Sequence, residues 1–150
     1  MYNTNVANSQ PQLLLDNQLC FALYSSSLAM TKLYKPLLSK LGLTYPQYLV
    51  MLALWEHGEL GVSELGERLF LDSGTLTPLL KRLEAAGFVI RTRSADDERR
   101  VRVHVSDAGK KLKARAAGIP ACVLEASQCS VAEVKGLTQQ LKSLRSNLAR

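Results

Sequence analysis

The residues of this 150-residue chain that could do chemistry are a thiol among phenols, a helix face of hydroxyls and cations, and arginines near a charged turn. Cys20 lies in LLLDNQLCFALYSSSLAMTKLYKPLL. On a helix Tyr24 is one turn beyond it, and Tyr34 returns to nearly the same azimuth. At ~1.5 Å rise per residue, however, Tyr34 is ~21 Å along the axis and cannot touch the cysteine of its own helix. If two copies cross their first helices, Tyr34 and Tyr45 of one could reach Cys20 of the other. Phenol hydroxyls donating to sulfur would stabilise a thiolate, the reactive form. The same residues also read as a small apolar cysteine packed in a helix seam with tyrosine filler. Cys122 and Cys129 complete an odd set of three, which argues against a structural disulfide framework and raises the question of redox chemistry. They are not spaced C-x-x-C, and His57 and His104 lie in unrelated segments, so no metal site is expected. No phosphate-cradling glycine loop, Ser-His-Asp order or paired-carboxylate signature occurs, so neither a cofactor nor enzymatic turnover is expected.

The second constellation runs from Val62 to Ser106. Ser63 reads as the N-cap of a short helix over Glu64 to Leu69. Asp72 caps a second helix in which Leu76, Leu79, Leu80 and Leu83 form one apolar stripe, and Gly87 stops it. The opposite face offers Ser73, Thr75, Thr77, Lys81 and Arg82, groups that suit base edges and phosphates. Arg91 follows on the next strand, and Arg100 to Val105 alternates with the period of a half-buried strand. Between them the tip Ser-Ala-Asp-Asp-Glu-Arg-Arg puts three acids where DNA would repel them. Asp97 could orient Arg99 into a narrow minor groove; a plain solvated turn is the other reading. Helix, turn, helix and two strands make a winged helix-turn-helix, which points to duplex DNA as partner.

These groups need positioning elements. A helix-like run from Leu13 to about Lys40 carries Leu15, Leu19, Leu23, Met30, Leu33 and Leu37 near heptad positions, with Pro36 expected to bend it. Thr44 and Pro46 start a nearly apolar helix through about Glu56. Ser106 and Asp107 open another, Gly118-Ile119-Pro120 interrupts it, and Val131 to Leu148 is a last amphipathic helix. Its stripe has nothing in the chain to cover it, and a homodimer would bury it. The expected class is mainly α with a small β-wing: one unit, with dimerisation and sensing helices over 13–57 and 107–148 and the winged helix-turn-helix over 58–106. The net charge of +6 is placed late: residues 1–60 are neutral, and 81–106 and 107–150 are both basic, as suits a polyanion. No apolar run approaches the ~20 residues that cross a bilayer, so no membrane partner is expected. The opening MYNTNVANSQPQ lacks secretion-signal features, an expectation of a cytoplasmic protein.

DSGTLTPLLKRLEAAGFVIRTRSADDERRV resembles the recognition helix and wing of the MarR family of dimeric repressors. DNQLCFALYSSSLAMTKLYKPLL and LGLTYPQYLVMLALWE are similar to its organic-hydroperoxide sensor branch, OhrR. The resemblance implies that Cys20 is oxidised by an organic hydroperoxide to a sulfenic acid. Tyr34 and Tyr45 would match tyrosines supplied by the opposite subunit, with Tyr24 a nearby pocket member. It further implies the two-cysteine type, in which a C-terminal cysteine of the other subunit closes a disulfide: Cys122, with Cys129 as competitor. Operator release would then derepress a peroxide-resistance gene. A relative of this kind released by a small aromatic ligand, without thiol chemistry, is the alternative.

Overall fold

The computed structural model describes residues 10–97 and 100–150. Seven helices and a three-stranded sheet follow in the order α1 (Leu19–Ser39), α2 (Tyr45–His57), β1 (Glu59–Gly61), α3 (Val62–Leu69), α4 (Ser73–Ala85), β2 (Val89–Arg93), β3 (Val101–Val105), α5 (Asp107–Ala116), α6 (Ile119–Ser127) and α7 (Val131–Leu148). The mainly α class with a β-wing is what the sequence led us to expect.

The first helix is shorter than its apolar spacing suggests. Residues 11–17 form two 3₁₀ turns, and α1 begins only at Leu19. Side-chain amides compete for the backbone there: Gln18 donates to the Gln12 and Leu14 carbonyls at 2.7 and 2.8 Å, and Asn17 to Pro11 at 2.7 Å. Pro36, expected to bend the helix, lies inside one continuous 21-residue α1. The Lys32 carbonyl that it leaves without a helical donor belongs to an exposed stretch that water can reach.

The start of α2 follows the sequence closely. Thr44 accepts from Gln47 N–H while the Gln47 side chain accepts from Thr44 N–H, a reciprocal capping box. Ser63 does not cap α3. The residues before it, Glu59–Gly61, form β1, a strand the sequence reading lacked, and it pairs with β3 through Leu60 and Val103. The chain leaves that pairing already positioned for helix, so Gly61 is the N-cap. Glu64 accepts from its N–H at 3.4 Å and also pairs with Arg102 at 3.6 Å. Arg102 reaches Glu59 too, at 3.1 Å, so β1, β3 and α3 are joined through one guanidinium. Asp72 caps α4 as expected, accepting from Thr75 N–H at 2.7 Å. Its four stripe leucines are all buried, and Gly87 takes φ +85° to end the turn.

One core runs through the described residues, from Leu38, Val50, Met51 and Leu54 through Leu65, Leu76, Leu80 and Leu83 to Val103 and Leu112. The helices at the two ends barely share it. In α1 only Leu38 is buried, and in α7 no residue is. Leu19, Phe21, Leu28 and Met30 on α1, and Val131, Leu137, Leu141 and Leu148 on α7, are exposed.

Wing and end helices meet at the start of α5. Ser106 caps it, accepting from Gly109 N–H at 3.1 Å while its hydroxyl donates to the Gly87 carbonyl. Trp55 of α2 donates its indole N–H to the Gly109 carbonyl at 2.9 Å. A Cβ at Gly109 would overlap the Phe88 carbonyl oxygen and lie 2.7 Å from Val105 Cγ1. Backbone cannot yield as a flexible side chain does, so Gly109→Ala is expected to destabilise the fold by about 1–3 kcal/mol in urea denaturation. An unchanged midpoint would mean that the joint is looser than this.

Candidate functional site

Two sites are built on this frame. The first is the outer face of α4 with the wing. Because Leu76, Leu79, Leu80 and Leu83 face the core, the helical period turns Ser73, Thr75, Lys81 and Arg82 outward, and Thr77 stands half-buried beside them. A cleft of about 610 Å³ separates this face from the wing, lined by Ser63, Ser73, Thr77, Arg91, Ser94, Arg100 and Arg102 among others. Hydroxyls line one wall and guanidiniums the other, with the Glu64 carboxylate beside Arg102, so the positive charge that a polyanion would meet there is partly cancelled.

Arg91, assigned to DNA from sequence, has a structural partner as well. Its guanidinium donates to Glu84 at 2.9 and 3.2 Å, and its backbone N–H donates to the same carboxylate at 3.2 Å. These bonds hold the Glu84 carboxyl below its ordinary range. The pair ties β2 to α4 and so sets the wing against the recognition helix, a role that sequence reasoning missed. At the wing tip, Ser94 N–H donates to the Arg100 carbonyl at 2.8 Å and Arg100 N–H to that of Asp97 at 2.9 Å. The Asp97 carboxylate stands 3.9 Å from the Arg100 guanidinium. The expected pairing of Asp97 with Arg99 involves a residue outside those described.

The second site is divided between distant parts of one chain. Cys20 is exposed in the first turn of α1, where backbone amides have no intrahelical acceptor. Tyr34 and Tyr45 do come together, at the other end of α1, with ring centroids 4.7 Å apart. Tyr48, on the nearly apolar helix that Thr44 and Pro46 start, is the third member, 5.8 Å from Tyr34 and 6.3 Å from Tyr45. Its spacing of three from Tyr45 on a helix was the available signal. Burial, then the neighbouring phenols, push the Tyr34 hydroxyl up to about 12, and burial raises Tyr45 and Tyr48 as well. All three stay neutral near pH 7 and can donate. Tyr24 is exposed beside Cys20, away from this cluster.

Of the C-terminal cysteines, Cys122 is exposed on α6 and lines a cavity of about 410 Å³ with Leu37, one turn beyond Tyr34. Cys129 is half-buried between α6 and α7, its thiol donating to the Ser127 carbonyl at 3.4 Å. Among the described residues no group of three or more His, Cys, Asp or Glu is placed to hold a metal ion. No described helix is long and apolar enough to cross a membrane.

Residues 32–116 match the family described as transcriptional regulator SarA/Rot. The organic hydroperoxide resistance transcriptional regulator of Bacillus subtilis (strain 168) is 52% identical over 134 residues, 89% of this chain and 91% of that protein. AbfR of Staphylococcus epidermidis has the same fold in several states. The reduced protein bound to DNA is 35% identical with a TM-score of 0.73, over 94% of this chain and 99% of that one. The disulfide-formed protein is 37% identical with a TM-score of 0.61, over 95% and 98%. With matches of this length and identity on the winged-helix frame just described, the chain belongs to the MarR- and SarA-type transcriptional regulators, in the group of the organic hydroperoxide regulators.

Proposed function

We propose that the protein is a homodimeric, DNA-binding repressor that senses organic hydroperoxides through Cys20 and releases its operator when oxidised. The observation that carries this reading is the division of the thiol site. One chain presents Cys20 at one end of α1 and two neutral, half-buried phenol donors, Tyr34 and Tyr45, backed by the buried Tyr48, at the other, with apolar helix faces uncovered between them. Two chains crossing antiparallel along α1 and α7 would cover those faces and bring each Cys20 to the tyrosines of the other subunit. Peroxide oxygen transfer to the thiolate gives a sulfenic acid and the alcohol. The sulfenic acid then condenses with a second thiol, losing water as the disulfide forms.

Cys122 is our choice for that second thiol. It stands beside Leu37, one turn from Tyr34, where Cys20 of the partner subunit would arrive. Cys129 lies beyond the end of α6, after the left-handed Gln128, and its thiol already has a carbonyl partner. The DNA-bound and disulfide forms of AbfR are one relative at different TM-scores to this chain, which supports a switch that changes conformation. The disulfide would draw α1 and α6 together and rotate the two DNA-binding lobes away from their ~34 Å spacing. On DNA, Ser73, Thr75, Thr77, Lys81 and Arg82 would occupy the major groove, and Arg99 the minor groove. Arg91 acts by holding the wing to Glu84. Release by a small aromatic ligand would instead be indifferent to Cys20.

The deciding experiment is operator release by cumene hydroperoxide, followed by gel shift. Wild type should release; Cys20→Ser should stay bound, and release as ready as wild type would sink the sensor reading. Tyr34→Phe should slow oxidation about tenfold or more, the worth of one hydrogen bond to a charged sulfur. Cys122→Ser should fail to cross-link on a non-reducing gel, and cross-linking that persists would move the role to Cys129. Lys81→Ala should weaken binding to all sequences alike and lower the salt slope by about one. Leu141→Glu should give monomers in sedimentation, and a dimer of undiminished stability would overturn the proposed crossing.

A further inference from the structure

Cys122 stands in a setting that its proposed part in the disulfide does not use. The cavity of about 410 Å³ at its side is lined by Leu37, Lys40, Leu41, Arg115, Gly118 and Ile119. Two of these are cations, and no acidic side chain is among the lining residues. Arg115 is held at the rim: one N–H of its fork donates to the Lys40 backbone carbonyl at 2.7 Å, bringing the end of α1 and the end of α5 together there. A nucleophilic sulfur, an apolar floor and two positive side chains thus share one opening large enough for a tripeptide-sized group.

We propose that Lys40, Arg115 and Cys122 form a docking site for an anionic low-molecular-weight thiol, one carrying carboxylates, which exchanges with the Cys122 sulfur. Carboxylate recognition by a guanidinium and an ammonium is the plain chemistry of the pair. Opposite charge raises the local concentration of an anion and the rate of its encounter, an effect that salt screens. The regenerative role given to this exchange rests on the reading that Cys122 closes the disulfide; the docking of the anion does not. In regeneration the small thiolate attacks the Cys122 sulfur, and the bond to Cys20 of the partner subunit breaks. The electron pair leaves on Cys20, which takes a proton from water, while Cys122 is linked to the small thiol. A second thiolate attacks the small thiol's sulfur and releases Cys122 as thiolate. Two small thiols are oxidised to their disulfide, and the protein disulfide gains two electrons and two protons.

The test uses the full-length chain carrying Cys20→Ser and Cys129→Ser, so that Cys122 is its one cysteine and the sensing reaction is absent. Formation of the mixed disulfide is timed by intact-mass spectrometry with glutathione disulfide, which is dianionic, and with cystamine, which is dicationic. Each rate is divided by that of free β-mercaptoethanol with the same reagent. The glutathione-to-cystamine ratio should exceed one by about tenfold at low salt and fall toward one at high ionic strength. Adding Lys40→Gln should cut it several-fold, and adding Arg115→Gln as well should abolish it. Arg115 also bonds backbone, so Lys40→Gln and the salt series decide if the Arg115 variant folds poorly. A ratio near one at low salt, or one indifferent to both Lys40→Gln and salt, overturns the site. If Cys129 proves to be the resolving residue in the operator assay, this ratio is unaffected: docking then stands, and only its regenerative role falls.

Discussion

The structure depends on a deficit of burial. A 21-residue helix with one buried side chain, and an 18-residue helix with none, cannot be held by their own hydrogen bonds, since most helical stability in proteins comes from packing an apolar face. The winged lobe has no such shortage. Its core is continuous from α2 through α4 to β3, so it can move as one piece. What the chain lacks it must take from a second copy. In the crossing we propose, that requirement would bring the thiol and the phenols of different subunits into one site, so that assembly and sensing would share the same surface.

Neutrality is what would make the phenols useful to a thiolate brought beside them in the proposed dimer. A tyrosine that ionised near pH 8 would repel a thiolate; one pushed up to about 12 by burial and by its neighbours remains a donor throughout the physiological range. Tyr48 contributes here without a place for its own hydroxyl in the reaction. It fills the space behind Tyr34 and Tyr45 and stacks edge-on against Trp55 at 6.4 Å. Trp55 in turn holds Gly109, where the wing's last strand becomes α5. The tyrosines and the wing joint are thus packed on opposite ends of one short helix, α2. A shift of α2 imposed at the tyrosines would be felt at Gly109, because both contacts are made by rigid rings.

Most of the frame was legible from sequence because its signals are local. Asp72, Thr44 and Ser106 cap helices through bonds spanning three residues, and the leucine stripe of α4 has a plain helical period. The misreadings arise where distant residues decide. Glu59–Gly61 is too short to show a period and is a strand only because β3 lies beside it. Ser63 lost its cap position to that pairing. The start of α1 was misplaced because Gln18 and Asn17 turn their amides back on residues 11–14, which the apolar spacing does not record. Among the candidate site residues, partners distant in sequence were not legible: Arg91 was read as a DNA cation, and nothing in its surroundings announced the bonds it also makes to Glu84, seven residues earlier.

That last pair bears on how a wing with acids at its tip can serve a DNA-binding surface. Asp96 and Asp97 would be repelled by phosphates if the wing swung without restraint. Three bonds from Arg91 to Glu84 fasten β2 to the recognition helix, and Arg102 fastens β3 to Glu59 and Glu64. Each pair cancels charge inside the lobe and leaves Arg100 and Ser94 lining the cleft that faces Ser73 and Thr77. Exposed ion pairs contribute little to stability. Their value here is directional: they set the angle between wing and helix, and that angle decides whether cations or carboxylates meet the phosphates first. A lobe made rigid in this way would transmit a rotation of the proposed dimer scaffold undiminished to the wing and helix faces together.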